Sequence, residues 1–174
     1  MKPESLGTGN PYISKYLDLC DSKTGKPLVA PATVFVSHAW RYSFYDVVVD
    51  AMEQHAKEHP DAYFWFDLFT NNQNEVASKD FDWFITTFRG VREIGEVLLV
   101  LSPWNDPMPI QRAWCLFEIF TALEDENVCL HIKIPSNESS MLKSALAKDS
   151  KYLVQALSDI RLKKHRLSLR EKEI

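Results

Sequence analysis

A chain of 174 residues, 45% hydrophobic and 25% charged, is long enough to bury one sizeable core and is neither disordered nor fibrous in composition. A formal net charge of −4 gives no global attraction to nucleic acid or to an anionic membrane, so neither partner is expected. Charge is uneven along the chain: residues 161–174 hold six Lys/Arg against two Glu, the pattern of a solvated basic tail.

Three cysteines (Cys20, Cys115, Cys129) make no paired framework and no CxxC, which suits a reducing compartment. Cys115 and Cys129 lie in apolar segments and read as small hydrophobes. The five histidines (His38, His55, His59, His131, His165) are read as showing neither an HxxxH pair nor a Cys/His cluster at structural-site spacing, so no metal is expected. No N-terminal apolar h-region and no membrane-length apolar run is present, which makes a cytoplasmic location the expectation.

In chain order, residues 1–30 are a Gly-, Pro-, Ser- and Lys-rich lead-in with a short helix near Ile13–Leu19. Thr33–Val36 is a β-rich run that ends at Ser37, His38, Ala39 and Trp40. Phe44 to His59 spaces Phe44, Val47, Val48, Ala51 and Met52 as a helix does, and stops at Pro60. Ala62–Phe66 favours strand and runs into Asp67 and the polar loop Thr70–Asn74. Asp80–Ile94 is predicted helical, with Phe81, Phe84, Ile85, Phe88 and Val91 on one face. Val97–Leu101 is a continuous apolar run, the pattern of a strand buried on both faces. A Pro-rich turn follows, then a helix from about Ile110. Val128–Ile134 is a fourth strand, closed by Pro135, and helices are predicted over Ser139–Leu146 and Tyr152–Leu162. A fifth strand near Val154–Ile160 is weakly indicated.

Strands alternating with helices imply βαβ units, a parallel sheet and right-handed crossovers. The fold expected is therefore a flavodoxin-like three-layer α/β fold with a parallel sheet of four to five strands. Ligands of such sheets gather beyond the carboxyl ends of the strands. Here those ends are Ser37–Arg41, Asp67–Gln73, Ser102–Asp106 and the start of the helix at Gln111.

The chain has no GxGxxG, no GxxxxGK[ST] and no GxSxG, and only five glycines. That argues against a dinucleotide fold of the dehydrogenase type, a P-loop and an α/β-hydrolase. Within AWCLFEIFTALE, a helical wheel puts Leu116, Ile119, Phe120 and Leu123 on one face, expected to pack on the sheet, and Glu118 away from it. Periodicity alone makes Glu118 a surface acid, although its aromatic neighbours Trp114 and Phe117 would raise its pKa by desolvation. Trp40 and Trp104 fall in loops after strands, where an aromatic face can stack a nicotinamide or an adenine. Asp67 either caps its loop or meets a ligand, and Asn71 and Asn72 either form a polar turn or contact ribose hydroxyls. His38 is either a satisfied core histidine or a ligand contact.

Three blocks, VFVSHAW, FWFDLFTNNQ and LLVLSPW…RAWCLFEI, in this order over about residues 32–135, resemble a TIR (Toll/interleukin-1 receptor) domain, in a divergent form carrying the SHAW motif. The resemblance implies a TIR-like domain over 31–162, between the lead-in 1–30 and a basic tail 163–174. It further implies cleavage of the nicotinamide–ribose bond of NAD+, used as a substrate with no other cofactor, in signalling or defence. Glu118 is then the catalytic carboxylate, and His38, Trp40, Arg41, Asp67, Asn71, Asn72, Trp104, Trp114 and Cys115 are substrate contacts. Self-association through TIR–TIR contacts is implied as well. The position after the SHAW histidine, basic in many TIR domains, is Ala39 here, with Arg41 two residues on. Two alternatives stand beside the enzyme: a non-catalytic TIR interaction module, and a nucleotide sensor without turnover.

Overall fold

The computed structural model describes residues 9–73 and 89–148. Asn74, Trp83, most of the Asp80–Ile94 helix, the Tyr152–Leu162 helix, the weak fifth strand and the basic tail lie outside the described residues. The end of the Asp80–Ile94 helix is seen at 89–94 and is helical.

Among the described residues, four strands form one parallel sheet: β1 (Val34–Ser37), β2 (Phe64–Trp65), β3 (Glu96–Val100) and β4 (Cys129–Lys133), in the order β2-β1-β3-β4. The expected three-layer, flavodoxin-like architecture is what the chain adopts. All four residues of β1 and the last four of β3 are buried. A strand apolar on both faces needs a covering layer on each side, and this places β1 and β3 at the centre. In β1 and β2, Val34 lies opposite Phe64 and Phe35 opposite Trp65. The Phe35 and Trp65 rings stack at 4.6 Å. β3 and β4 are joined by Cys129 N donating to Gly95 O and Leu101 N to Lys133 O, both at 2.9 Å. The chain steps from β1 one way to β2 and the other way to β3, so the strand order reverses between β1 and β3.

Two compact units interleave along the sequence. The first comprises Met1–Val36, Pro60–Val97 and Thr121–Leu130. Its core joins Phe35, Val91, Val97, Ala122 and Val128, with Trp65, Ile94 and Leu130 packed on it. Gly95 ends the 89–94 helix at φ +77°, and its N–H donates to Val91 O, the left-handed cap that glycine adopts without steric cost. β2 is shorter than the expected Ala62–Phe66. A one-turn helix, α2 (Asp67–Thr70), begins directly after Phe66, whose carbonyl accepts from the amides of Phe69 and Thr70. In the described part of the lead-in, a 3₁₀ turn over Tyr12–Tyr16 sets Tyr12 5.2 Å from the Phe69 ring.

The second unit comprises Ser37–His59, Leu98–Phe120 and His131–Ile174. The helix expected from Phe44 to His59 opens as a π-helix (Phe44–Val49) and continues as α1 (Asp50–Glu58), ending before Pro60. The helix that completes the third βα step is α3 (Ala113–Glu124), and α4 (Ser136–Lys148) follows β4. α4 is longer than the predicted Ser139–Leu146 because Asp50 supplies a cap from outside its own segment. Ser136 N donates to Asp50 Oδ2 at 2.6 Å and Ser136 Oγ to Oδ1 at 2.9 Å, and Gln54 Nε2 adds a third bond at 3.0 Å. A carboxylate at a helix N-terminus meets unpaired amides and the positive end of the dipole.

Partial burial acts to raise the Asp50 pKa, but the bonds from the Ser136 amide and hydroxyl and from Gln54 together outweigh it, and the net shift is downward. A depressed folded-state value means the stabilisation is complete above the unfolded carboxyl pKa of about 3.9 and is lost as pH falls through the folded value. Wild type is therefore expected to be more stable than Asp50→Asn at pH 6. Urea-denaturation midpoints of the two should converge as the pH is lowered from about 5 to about 2.

Candidate functional site

The turn after β3 leads through a 3₁₀ turn (Met108–Gln111) to Arg112, whose extended backbone precedes α3 and whose carbonyl accepts from Leu116 N at 2.9 Å. The residues that follow, AWCLFEIFTALE, include strong helix formers in Ala, Leu and Glu and no internal Gly or Pro. Which face turns inward differs from the helical-wheel expectation. Cys115, Thr121 and Ala122 are buried, whereas Phe120 is 54% and Leu123 69% exposed. Cys115, Glu118 and Ala122 fall at i, i+3 and i+7, so Glu118 lies on the inward stripe and is half-buried. The wheel fixes angles between side chains and not the rotation of the helix about its axis.

Glu118 is held at the carboxyl end of β1. Ser37 Oγ donates to Glu118 Oε2 at 2.5 Å, and Ser37 is 1% exposed. That distance falls in the range of hydroxyl–carboxylate bonds, which contribute about 1.5–3 kcal/mol. One turn earlier on the same helix, Cys115 Sγ donates to the His38 carbonyl at 3.4 Å. Two contacts one turn apart, to consecutive residues of β1's end, set both the height and the rotation of α3 against that strand.

The loops leaving β1 and β3 are strapped together by Tyr42. Its hydroxyl accepts from Ser102 N at 2.9 Å and donates to Ser102 O at 2.5 Å. Glu138 of α4 holds the same loop from the other side, accepting from Ser102 Oγ at 3.2 Å and from Trp104 N at 3.0 Å. The peptide between Ser102 and Pro103 is cis. Burial raises the Tyr42 phenol far above its ordinary value, only partly opposed by the backbone bond from Ser102, so the hydroxyl remains a donor throughout the neutral range. Tyr42 and Glu138 carry no motif, and sequence reasoning missed them; Ser102 was reached only as the start of the loop after the third strand.

The residues nominated from sequence divide between the two units. Direct contacts join Ser37, His38, Cys115 and Glu118 in the second unit. In that unit Trp40 is 58% and Trp114 40% exposed, Arg41 is exposed, His38 is buried and Trp104 is half-buried. Asp67, Asn71 and Asn72 belong to the first unit. Asp67 is the first residue of α2 and not part of a loop, and its carbonyl accepts from Asn71 N and Gln73 Nε2, each at 3.0 Å. The Asn72 amide donates to Gly9 O at 3.0 Å, tying it to the lead-in. Cys129, expected as an apolar-segment residue, is exposed on β4.

No metal site is expected from the sequence, yet the structure gathers His55, His59 and His131, with one ligand atom from each within 4.8 Å of the others. The expectation of no HxxxH is wrong: His55 and His59 stand in HAKEH, an i, i+4 pair. His131 lies 72 residues further on, and only the fold brings it there. A separate open groove of about 560 Å³ is lined by Tyr45, Asp46, Val49, Asp50, Glu53, Ser136 and Asn137, and by none of the nominated residues.

Tyr42→Phe removes a donor and an acceptor at once and leaves the Ser102 amide and carbonyl without their phenol. A loss of about 1–3 kcal/mol in unfolding free energy is expected, measured by urea denaturation. Comparison with protein-family models, with curated proteins and with solved structures gives no match to this chain.

Proposed function

We propose that the chain is an NAD+ glycohydrolase of TIR-like type, with Glu118 as its catalytic carboxylate. The observation that carries this reading is the Ser37–Glu118 bond, which draws the one acid of the AWCLFEI block off the helix surface to the carboxyl end of a central strand. That is where open parallel sheets present their ligands.

The chemistry asks little of the protein. Departure of neutral nicotinamide leaves positive charge on the ribosyl ring, and a fixed carboxylate stabilises that charge as it develops. Water then adds to the anomeric carbon and loses a proton, giving ADP-ribose; attack by a group of the substrate itself gives a cyclic product instead. Ser37 positions the Glu118 carboxylate before substrate arrives, which is the electrostatic preorganisation that such catalysis needs. On binding, a ribose hydroxyl takes a place on the same carboxylate. The exposed rings of Trp40, three residues beyond Ser37, and Trp114, one turn before Glu118, supply aromatic surface for the nicotinamide or adenine.

A second reading, an interaction module without turnover, is favoured by the outward face of α3. Trp114, Phe117, Phe120 and Leu123 are each at least 40% exposed, an apolar surface that soluble helices normally turn inward.

Nicotinamide release from NAD+ by concentrated protein separates the two. The glycohydrolase reading expects release by wild type, a loss on the order of 10²–10³-fold or more in Glu118→Ala, and a smaller loss in Ser37→Ala. Equal rates in wild type and Glu118→Ala would remove the carboxylate from its role. Absence of release from folded wild type at high concentration would leave the interaction module.

A further inference from the structure

The face that α1 turns toward the end of β4 and the start of α4 is polar at every fourth residue. Asp50 caps Ser136, Gln54 Nε2 donates to Ile134 O at 3.2 Å, and Glu58 pairs with Lys133 Nζ at 2.6 Å. These acids and the amide recur every four residues and so share one helical face. On β4, the period of two puts His131 on the same side as Lys133, toward α1.

Histidines fill the middle of this seam. His55 lies between Gln54 and Glu58 and is 0% exposed, His59 follows at the C-cap, and His131 faces both from the strand. The His55 and His59 rings stack, with centroids 4.3 Å apart and planes 12° apart. His131 meets them edge-on, at 5.0 Å and 5.2 Å. Three imidazoles packed this closely repel one another if protonated, and as neutral rings each carries one lone pair that can bind a metal.

We infer that His55, His59 and His131 bind a zinc-class divalent cation that clamps the end of α1 to β4. An i, i+4 histidine pair on a helix and a third histidine on an opposing strand can converge on one ion at the usual Zn–N distance of about 2.0–2.1 Å. Tetrahedral geometry then requires nitrogens about 3.3–3.4 Å apart, reachable by ring rotation from a set already within 4.8 Å. Imidazole donors suit zinc, copper or nickel and not the hard, oxygen-seeking calcium or magnesium. The neighbouring Lys133 ammonium, which would oppose a cation, is paired with Glu58. His59 and His131 are partly exposed and give the ion a way in. Three histidines leave the fourth position of the ion to water, and metal held across a helix–strand contact adds its binding free energy to folding. The site is independent of the glycohydrolase reading.

The full chain, stripped with a chelator and titrated with Zn2+, is expected to bind one equivalent by calorimetry. Its Tm should rise by roughly 5–10 °C at a hundredfold excess over Kd. His59→Gln and His131→Gln, chosen because His55 is fully buried, should each weaken binding about 100-fold or more and abolish the Tm rise, whereas Cys20→Ser should retain both. Histidine modification mapped by mass spectrometry supplies a test without mutation: Zn2+ should protect His59 and His131. Folded wild type that binds no Zn2+, variants that bind it with wild-type affinity, or protection confined to other histidines would each overturn the inference.

Discussion

Burial of β1 and β3 on both faces is the constraint on which the rest of the fold depends. At roughly 1.5–3 kcal/mol for each fully buried Val, Leu or Phe, the runs VFV and VLLV outweigh any single polar tether in the chain, worth about 1–3 kcal/mol. Strands of this kind demand layers on both sides and sit where the strand order reverses. Their carboxyl ends are then the points at which backbone leaves the core and needs polar partners. Tyr42, Glu138 and Cys115 answer that need, bonding to Ser102, Trp104 and His38.

α3 carries a conflict between local pattern and tertiary placement. Its outward face holds Trp114, Phe117, Phe120 and Leu123, while a carboxylate occupies the inward stripe. A helix left to its own amphipathicity would rotate the other way. The rotation is held by two contacts at the end of β1, and the partly desolvated acid is compensated by the Ser37 hydroxyl. Where a sequence sets aside local consistency and compensates for it nearby, function is the usual reason. The same inversion leaves an apolar strip exposed, so the features that point to catalysis and to association arise from one helix rotation.

The seam between α1 and β4 departs from ordinary packing in another way. A helix covering a sheet normally buries apolar side chains, and α1 does so through Val48 of its π-helical lead-in and through Ala51. Toward the end of β4 and the start of α4 it presents Asp50, Gln54, His55 and Glu58 instead, with His59 at its C-cap. Edge-strand position allows this, because no residue of β4 is fully buried and, among the described residues, β3 is its one neighbour in the sheet.

From the sequence alone, the kind and order of the four strands and of α1, α3 and α4 can be read. Continuous apolar runs announce the central strands, helical spacing announces α1 and α3, and Pro60 and Pro135 mark where α1 and β4 must end. These signals are local: they depend on side-chain periods and backbone sterics within a few residues. The candidate site was legible only as residue types, an acid in a Trp-Cys-Leu-Phe-Glu block and a strand ending in Ser-His. Tertiary structure decided the rest. It chose which face of α3 turns inward, gave Glu118 its partner 81 residues away, made a helical turn of the segment after β2, and brought His131 to the HAKEH pair. A period fixes angles between neighbours on one element, but contacts between distant elements depend on how the whole chain satisfies its buried surface and its buried polar groups together.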